Sequence, residues 1–232
     1  MQIIAIVLAR LDSMRLPNKA LIELQGKTII NHVISRAGNI NGIEKVVLAT
    51  TNRDIDDKLA NEVSSYGIDV YRGSTNDVAL RMLECAKVYD ASFFIRINGD
   101  SPFLDPALIS TGLACCANDE FDLITNLAGR TFPYGISVEI LSTERYGRIY
   151  KSIKNDVCFE HPTKYIYENS EKMKIKVITS KYPELNKARL VIDTPDDLMI
   201  CKKIMTILGS RVYGAKYNEV AQIYLDIKRG EK

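Results

Sequence analysis

The 232-residue chain predicts an α/β domain, with a mostly parallel central sheet and helices on both faces. Three observations carry that prediction. Short apolar, β-branched runs alternate along the chain with segments of helical apolar spacing. Residues 3–8 are apolar at every position and 93–97 at all but Arg96, as strands covered on both faces are. Both runs stop abruptly at polar, loop-forming residues, leaving charged groups at the strand's carboxyl end, where open α/β sheets take their ligands.

The elements follow in order. After the strand at 3–8, residues 28–37 read as a helix with Ile29, Ile30, Val33 and Ile34 on one face. Residues 45–50 form the second strand, 54–66 an acidic-capped helix, and 68–71 a short strand. Asn76 or Asp77 opens a helix to Tyr89, and 93–98 is the central strand. Asp105-Pro106 is a helix start, with that helix running to about Asn118, and 122–126 is another strand. Residues 131–135 read as a loop, 136–141 as a strand, 143–154 and 161–168 as helices, and 174–179 as a strand. The run 188–193 reads as a strand feeding a helix to Leu208, and an amphipathic helix over 218–229 closes the chain. Thr194, Pro195 and Asp197 supply that penultimate helix with its cap. No repeat and no linker divides the sequence, so 1–232 is expected to be one domain.

Charged residues at the strand ends give this scaffold its chemistry. Arg10-Leu-Asp-Ser-Met-Arg-Leu-Pro-Asn-Lys19 hangs a cationic loop on the first strand. Arg10, Arg15 and Lys19 are too irregularly spaced for one helical stripe but are suited to wrapping a phosphate chain. Pro17 stiffens the turn, and Asn18 tolerates a left-handed backbone. Asp100 closes the central strand in Asn98-Gly-Asp100, and Asp193 closes the run 188–193 in the same manner. Two strand-end carboxylates suit Mg²⁺, which is usually held by one or two carboxylates together with substrate phosphates. Metal and cations would then share the charge of a nucleoside triphosphate.

Several of these segments resemble a known family. Residues 9–19, Tyr71-Arg-Gly-Ser74 with Asp77, Ile97-Asn-Gly-Asp100, Gly135 to Glu139, Glu160-His161 and Ile192-Asp-Thr-Pro-Asp-Asp-Leu198 occur in the order seen in cytidylyltransferases of the CMP-ulosonate type. The resemblance is nearest to the spore coat polysaccharide branch, which is similar to CMP-Kdo and CMP-sialate synthetases. It implies a Rossmann-like nucleotide-diphospho-sugar transferase (GT-A-like) fold and Mg²⁺-dependent transfer of CMP from CTP to an acidic sugar or related acceptor, with release of pyrophosphate. It further implies catalysis by Lys19, Arg15, Arg10 and Asp100, and Mg²⁺ on Asp100 and Asp193. Leu8, Ala9, Arg10, Ser74, Asp77 and Asn98 would bind the nucleotide, and Tyr134, Ser137, Glu139, Glu160, His161 and Arg189 the acceptor. A homodimer is implied too, with residues about 135–180 as an acceptor-side lobe that pairs with the second subunit.

Most of these positions also have structural readings. Ser74 and Asp77 are good helix caps, His161 a capping or packing residue, Glu139 the polar face of a strand, and Arg189 a salt-bridge partner. Asn18 replaces a common family glycine, and Tyr134 and Ser137 stand where aspartates are expected. The second change removes two carboxylates from the acceptor pocket, which points away from a standard Kdo or sialate toward an unusual sugar, polyol or phosphonate.

Composition narrows the alternatives. With 31 Lys and Arg against 29 Asp and Glu, the net charge of +2 and the lack of a basic run argue against a general nucleic-acid binder. No apolar stretch approaches a membrane span, and Arg10 and Asp12 interrupt any signal-peptide pattern, so a cytoplasmic enzyme is expected. The 5 cysteines form no C-x-x-C pair and, with only 2 histidines, make a poor zinc site. A GT-A glycosyltransferase would normally show D-x-D where this chain has Asn98-Gly-Asp100. A nucleotide-sugar-binding protein without catalysis would not need Lys19, Asp100 and Asp193 together. A dinucleotide-binding oxidoreductase is disfavoured by the absence of G-x-G-x-x-G.

Overall fold

The computed structural model describes residues 1–118 and 120–230. In chain order the elements are β1 (Ile3–Leu8), β2 (Glu23–Leu24), β3 (Lys27–Thr28), α1 (Ile29–Ala37), β4 (Lys45–Thr51), α2 (Asp57–Ser65), β5 (Asp69–Gly73), α3 (Val78–Val88) and β6 (Phe93–Asn98). They continue with α4 (Pro106–Leu113), β7 (Leu123–Thr125), β8 (Glu139–Ser142), α5 (Thr143–Tyr150), α6 (Asp156–Glu160), α7 (Lys164–Glu168), β9 (Ile175–Val177), α8 (Pro195–Leu208) and α9 (Tyr217–Arg229). Seven strands form one sheet in the order β5-β4-β1-β6-β8-β7-β9. Only β8 runs against the others, being antiparallel to both β6 and β7. The mostly parallel sheet expected from the apolar runs is present, with β6 at its centre.

Alternate residues of the central strands feed two cores. Ala5, Val7, Leu48, Ile95 and Ile97 face one way and pack against α1, α2 and α4 through Ile30, Val33, Leu59, Val63 and Ile109. Ile4, Ile6, Val47, Ala49 and Phe94 face the other way, against Met82, Cys85 and Ala86 of α3, Tyr146 of α5 and Ile166 of α7. Burial on both faces explains why these strands are apolar at nearly every position rather than alternating. A third cluster lies beyond the sheet, where Phe132, Ile136, Leu190 and Ile192 pack under Ile200 and Ile204 of α8 and Val220 and Ile223 of α9. Arg36, fully buried, ties α1 to this region by donating to the carbonyls of Leu104 (2.6 Å), Ala215 (2.7 Å) and Val212.

The predicted caps of α3, α4 and α8 are made, but the acidic cap expected for the helix over 54–66 is not: α2 starts at Asp57, and the Asp56 carboxylate turns away to Leu11, Thr51 and Arg53. Asp77 accepts from the Leu80 amide at 2.7 Å and Asp105 from Leu108 at 3.0 Å, and Thr194 with Asp197 forms a reciprocal capping box on α8.

Three further expectations need correction. Residues 188–193 join no strand ladder. They are held by the Tyr134 amide donating to Ala188 O (3.0 Å), Leu190 N–H to Tyr134 O (2.7 Å) and Ile192 N–H to Asp100 O (2.9 Å). Their apolar side chains report burial in the third cluster, and a buried extended segment has the same composition as a strand. The strand expected over 136–141 begins only at Glu139. Before it, the side-chain amide of Asn126 takes the place of a partner strand, donating to Ile136 O at 3.0 Å and accepting from the Val138 amide at 2.8 Å. The helix expected over 161–168 begins only at Lys164, as α7; His161 instead caps the end of α6, a short helix that was not expected, and Pro162 lies between the two.

Candidate active site

At the carboxyl ends of β1 and β6 lies a cleft of about 590 Å³. Leu8, Ala9, Arg10, Arg15, Lys19, Asn98, Asp100, Glu160, His161 and Asp193 all line it, so ten of the expected site residues share one wall system. The turn at Asn98-Gly-Asp100 must pass very close to the end of β1. A Cβ on Gly99 would lie 2.7 Å from Ala9 Cβ and 3.0 Å from Leu8 O, so only glycine fits where the two strand-end loops touch.

The cationic loop is fixed at both ends. Asn18 adopts φ 55°, the left-handed conformation expected of it, and its amide donates to Leu11 O at 3.1 Å. At the other end Asp56, fully buried, accepts from the Leu11 amide at 2.7 Å and also from Thr51 and Arg53. Arg53 in turn pairs with Asp12 at 2.7 Å. This bond, helped by Arg10 at 3.1 Å and opposed by partial burial, holds the Asp12 carboxyl below its usual range. The loop between these anchors carries Met14, 97 % exposed, and Arg15.

Lys19 opens a short 3-10 turn, which aims its ammonium inward. Nζ lies 2.6 Å from Asp100 Oδ2 and 2.8 Å from Asp193 Oδ1, so carboxylates 93 residues apart in sequence converge on one cation. Burial lowers the Lys19 pKa, but the two carboxylates outweigh it and the net shift is upward. Burial raises Asp193, but Lys19, Arg15 at 3.3 Å and Arg189 at 3.1 Å bring it below its ordinary value. The pair also fits a divalent cation. Both carboxylates already aim at a shared positive centre, and among the described residues no third His, Cys, Asp or Glu joins them to form an all-protein cage.

The remaining expected residues lie around this centre in different situations. Tyr134 and Ser137 line a pocket of about 130 Å³ on the far side of Asp100 and Asp193, together with Arg130 and Ser101. Arg189 binds Asp193 and, through Nε at 2.9 Å, Asp197, and lies 4.7 Å from the Tyr134 ring centre. Ser74 and Asp77 border a neighbouring hollow of about 400 Å³ with Arg10 and Glu160. Both act as caps there: Ser74 Oγ accepts from the Asp77 amide, and Asp77 also accepts from Tyr150 Oη at 2.7 Å. Glu139 is fully buried beneath the cleft, its carboxylate taken by Arg96 and by Tyr167 Oη at 3.0 Å.

Two cleft residues escaped the sequence reading. Arg96 and Arg81 both line the wall, each with a buried Nε that lacks a hydrogen-bond partner. A signal existed for Arg96, a charged residue inside an otherwise apolar strand. Arg81 had a weaker one, a cation one turn beyond the Asp77 cap on a face otherwise formed by Val78, Met82 and Cys85.

The model of the cytidylyltransferase family matches residues 4–224. The chain is 28% identical to the spore coat polysaccharide biosynthesis protein SpsF of Bacillus subtilis, over 90% of this chain and 88% of that one. Among solved structures, a cytidylyltransferase from Leptospira borgpetersenii superposes with a TM-score of 0.91 at 28% identity, covering 99% of this chain and 95% of that one. A CMP:2-keto-3-deoxy-manno-octonic acid synthetase complexed with CTP shares the fold at TM-score 0.69 and 17% identity, over 89% and 99% of the two chains. With a family match running through nearly the whole sheet and both carboxylate-bearing segments, the chain belongs to the cytidylyltransferases.

Proposed function

We propose that the protein transfers CMP from CTP to an acidic sugar or related acceptor, releasing pyrophosphate, in the synthesis of surface polysaccharide or glycoconjugate. The observation that carries this reading is the Lys19 ammonium between Asp100 and Asp193 at the mouth of a cationic loop. The likeness to SpsF supports the polysaccharide context, and the CTP complex of the more distant synthetase supports the nucleotide.

In such a reaction an acceptor oxygen forms a bond to the α-phosphorus while the bond to the bridging oxygen of pyrophosphate breaks. Catalysis is then largely alignment and neutralisation of charge. Arg10, Arg15 and Lys19 would bind the triphosphate, with Lys19 meeting the charge that grows on the leaving pyrophosphate. Asp100 and Asp193 would hold Mg²⁺, which when bound neutralises phosphate charge and polarises the acceptor oxygen. Backbone groups of Leu8, Ala9 and Arg10, with Asn98, would hold the nucleoside. Ser74 and Asp77 would shape that end from beneath, as caps. The pocket of Tyr134 and Ser137 opens on the opposite side of the carboxylate pair, so an acceptor there would face the α-phosphate from the side away from the loop. Arg189 would act on it indirectly, by fixing Asp193 and the Tyr134 ring, while Glu160 and His161 would close the cleft above. A homodimer belongs to the same reading and is checked by analytical ultracentrifugation.

The deciding experiment supplies each of the four nucleoside triphosphates with Mg²⁺ and a panel of acidic sugars, polyols and phosphonates, and measures pyrophosphate release. Release with CTP alone is expected. Glycosyl transfer from a nucleotide sugar without pyrophosphate would overturn the reading in favour of a GT-A glycosyltransferase.

A further inference from the structure

Arg81 is 2% exposed, yet among the described residues no carboxylate pairs with it. Its Nη1 donates to Ser74 O at 2.5 Å, while its Nε, also buried, has no partner. An unpaired buried guanidinium is costly, and a native fold that keeps one has a use for it. Its neighbours make the cost larger. Burial first, and then the positive charges of Arg10 and Arg53, depress its pKa to about 10 against the opposing pull of Asp56 and Asp77, so it stays charged at neutral pH without a carboxylate in direct contact.

Position indicates the use. Lys19, Asp100 and Asp193 mark the polyphosphate end of the cleft, whereas Arg81 enters from α3, together with Val78, where Leu8 and Ala9 form the other part of the wall. Apolar surfaces with one polar edge suit a planar base. A guanidinium fork requires two adjacent acceptors. Cytosine offers O2 and N3 side by side, whereas uracil presents an N3–H donor at the same place that would oppose an arginine donor.

We propose that Arg81 is a specificity-determining residue that donates to the O2/N3 edge of cytosine and so selects CTP over UTP. This rests on the cytidylyl-transfer reading given above and adds the residue that reads the base. Ser74 then acquires a second purpose, since its carbonyl holds one arm of the guanidinium and leaves Nε and Nη2 as the donors for the base.

The test is calorimetric titration of the intact protein with Mg²⁺ and CTP, UTP or 3-deaza-CTP, in which C–H replaces the N3 acceptor. Wild-type protein should bind CTP roughly ten- to a hundredfold more tightly than either alternative, the range of a bidentate base contact. Arg81→Lys, which keeps the charge but lacks the planar fork, should reduce both preferences to about threefold or less. A melting temperature within a few degrees of wild type would show that the variant is folded. Equal weakening of all three nucleotides by Arg81→Lys would overturn the proposal and assign Arg81 to phosphate binding or support of the wall. Equal wild-type affinity for CTP and 3-deaza-CTP would overturn it without recourse to any variant. If the wild type discriminates but the variant discriminates equally well, only this inference fails. If the wild type does not favour CTP at all, the cytidylyl-transfer reading fails with it.

Discussion

Lys19 is the residue on which charge in the cleft balances. It contacts two carboxylates, and without it Asp193 would still face Arg15 and Arg189 while Asp100 would lose its ion pair. Lys19→Ala removes the only lysine that lines the cleft among the described residues, and Asp100→Ala removes one of its two acids. Each should lower kcat by roughly 10²–10³, the usual cost of losing one charge-stabilising group, with the far-UV circular dichroism spectrum unchanged. Wild-type turnover in either variant would remove it from the assigned role. Asp12 gives a separate prediction, in pH. Its carboxyl lies below the ordinary value of 3.8 in the folded protein, chiefly because Arg53 donates to it. Such a group stabilises the fold fully above its unfolded pKa, and the contribution disappears as pH falls through the lower, folded pKa. The stability difference between wild type and Asp12→Asn, from urea unfolding, should therefore be constant from pH 7 to pH 5 and shrink progressively below about pH 4. A difference that grows on acidification would contradict the assignment. At this scale the sequence was informative where a charge stood just after an apolar extended run, as with Asp100 and Asp193, or in the loop that follows one, as with Lys19. It was least informative for Arg81 and Asp56, whose importance comes from burial, which a single side chain in a helix or turn does not announce.

Among the elements, β1, β6 and the caps of α3, α4 and α8 were legible because each follows from local chemistry: successive β-branched residues, or an Asp or Thr placed before the first turn. The run 188–193 was misread because extended backbone buried by α8 and α9 needs the same side chains as a strand, while ladder pairing depends on partners far away in sequence. That misreading matters to the site. Since no ladder fixes Asp193, its place beside Asp100 depends on backbone bonds to Tyr134 and Asp100. Gly135 makes this contact possible. It has φ 97°, and a Cβ there would lie 2.6 Å from both the carbonyl carbon and oxygen of Leu190. Gly135→Ala therefore has to adopt a strained backbone and push the 188–193 segment outward. A loss of about 2–3 kcal/mol in unfolding free energy is expected from strain of this kind, together with a fall in activity from the displaced Asp193. A variant of unchanged melting temperature and full turnover would show that the segment is positioned by other means.

At the scale of the whole molecule, the cleft joins parts of the chain that fold into different cores. The loop bearing Lys19 follows β1, Asp100 follows β6, and Asp193 leads into α8, which packs in the third cluster outside the sheet. A ligand held by all three must cross-link those cores, and this couples nucleotide affinity to global stability. The sequence indicated the three groups but not that they meet, because their convergence depends on crossovers that bring β1 and β6 side by side and on the folding-back of residues 188–193. The coupling is quantitative. A ligand present at a hundred times its dissociation constant stabilises the native state by about 2.7 kcal/mol. For a chain of this length that corresponds to a rise of roughly 5–10 °C in melting temperature. Mg²⁺ and CTP together should produce a shift of this size, while either alone should produce much less, since the carboxylates and the cationic loop each bind only half of the charge. In Asp193→Asn the synergy between metal and nucleotide should collapse, and chelation of Mg²⁺ should leave wild type and variant with similar small responses to CTP. Additive shifts in the wild type, or full synergy in Asp193→Asn, would mean that the three segments do not share one ligand, and the account of the cleft as a single metal–triphosphate site would fail even though the fold and family stand.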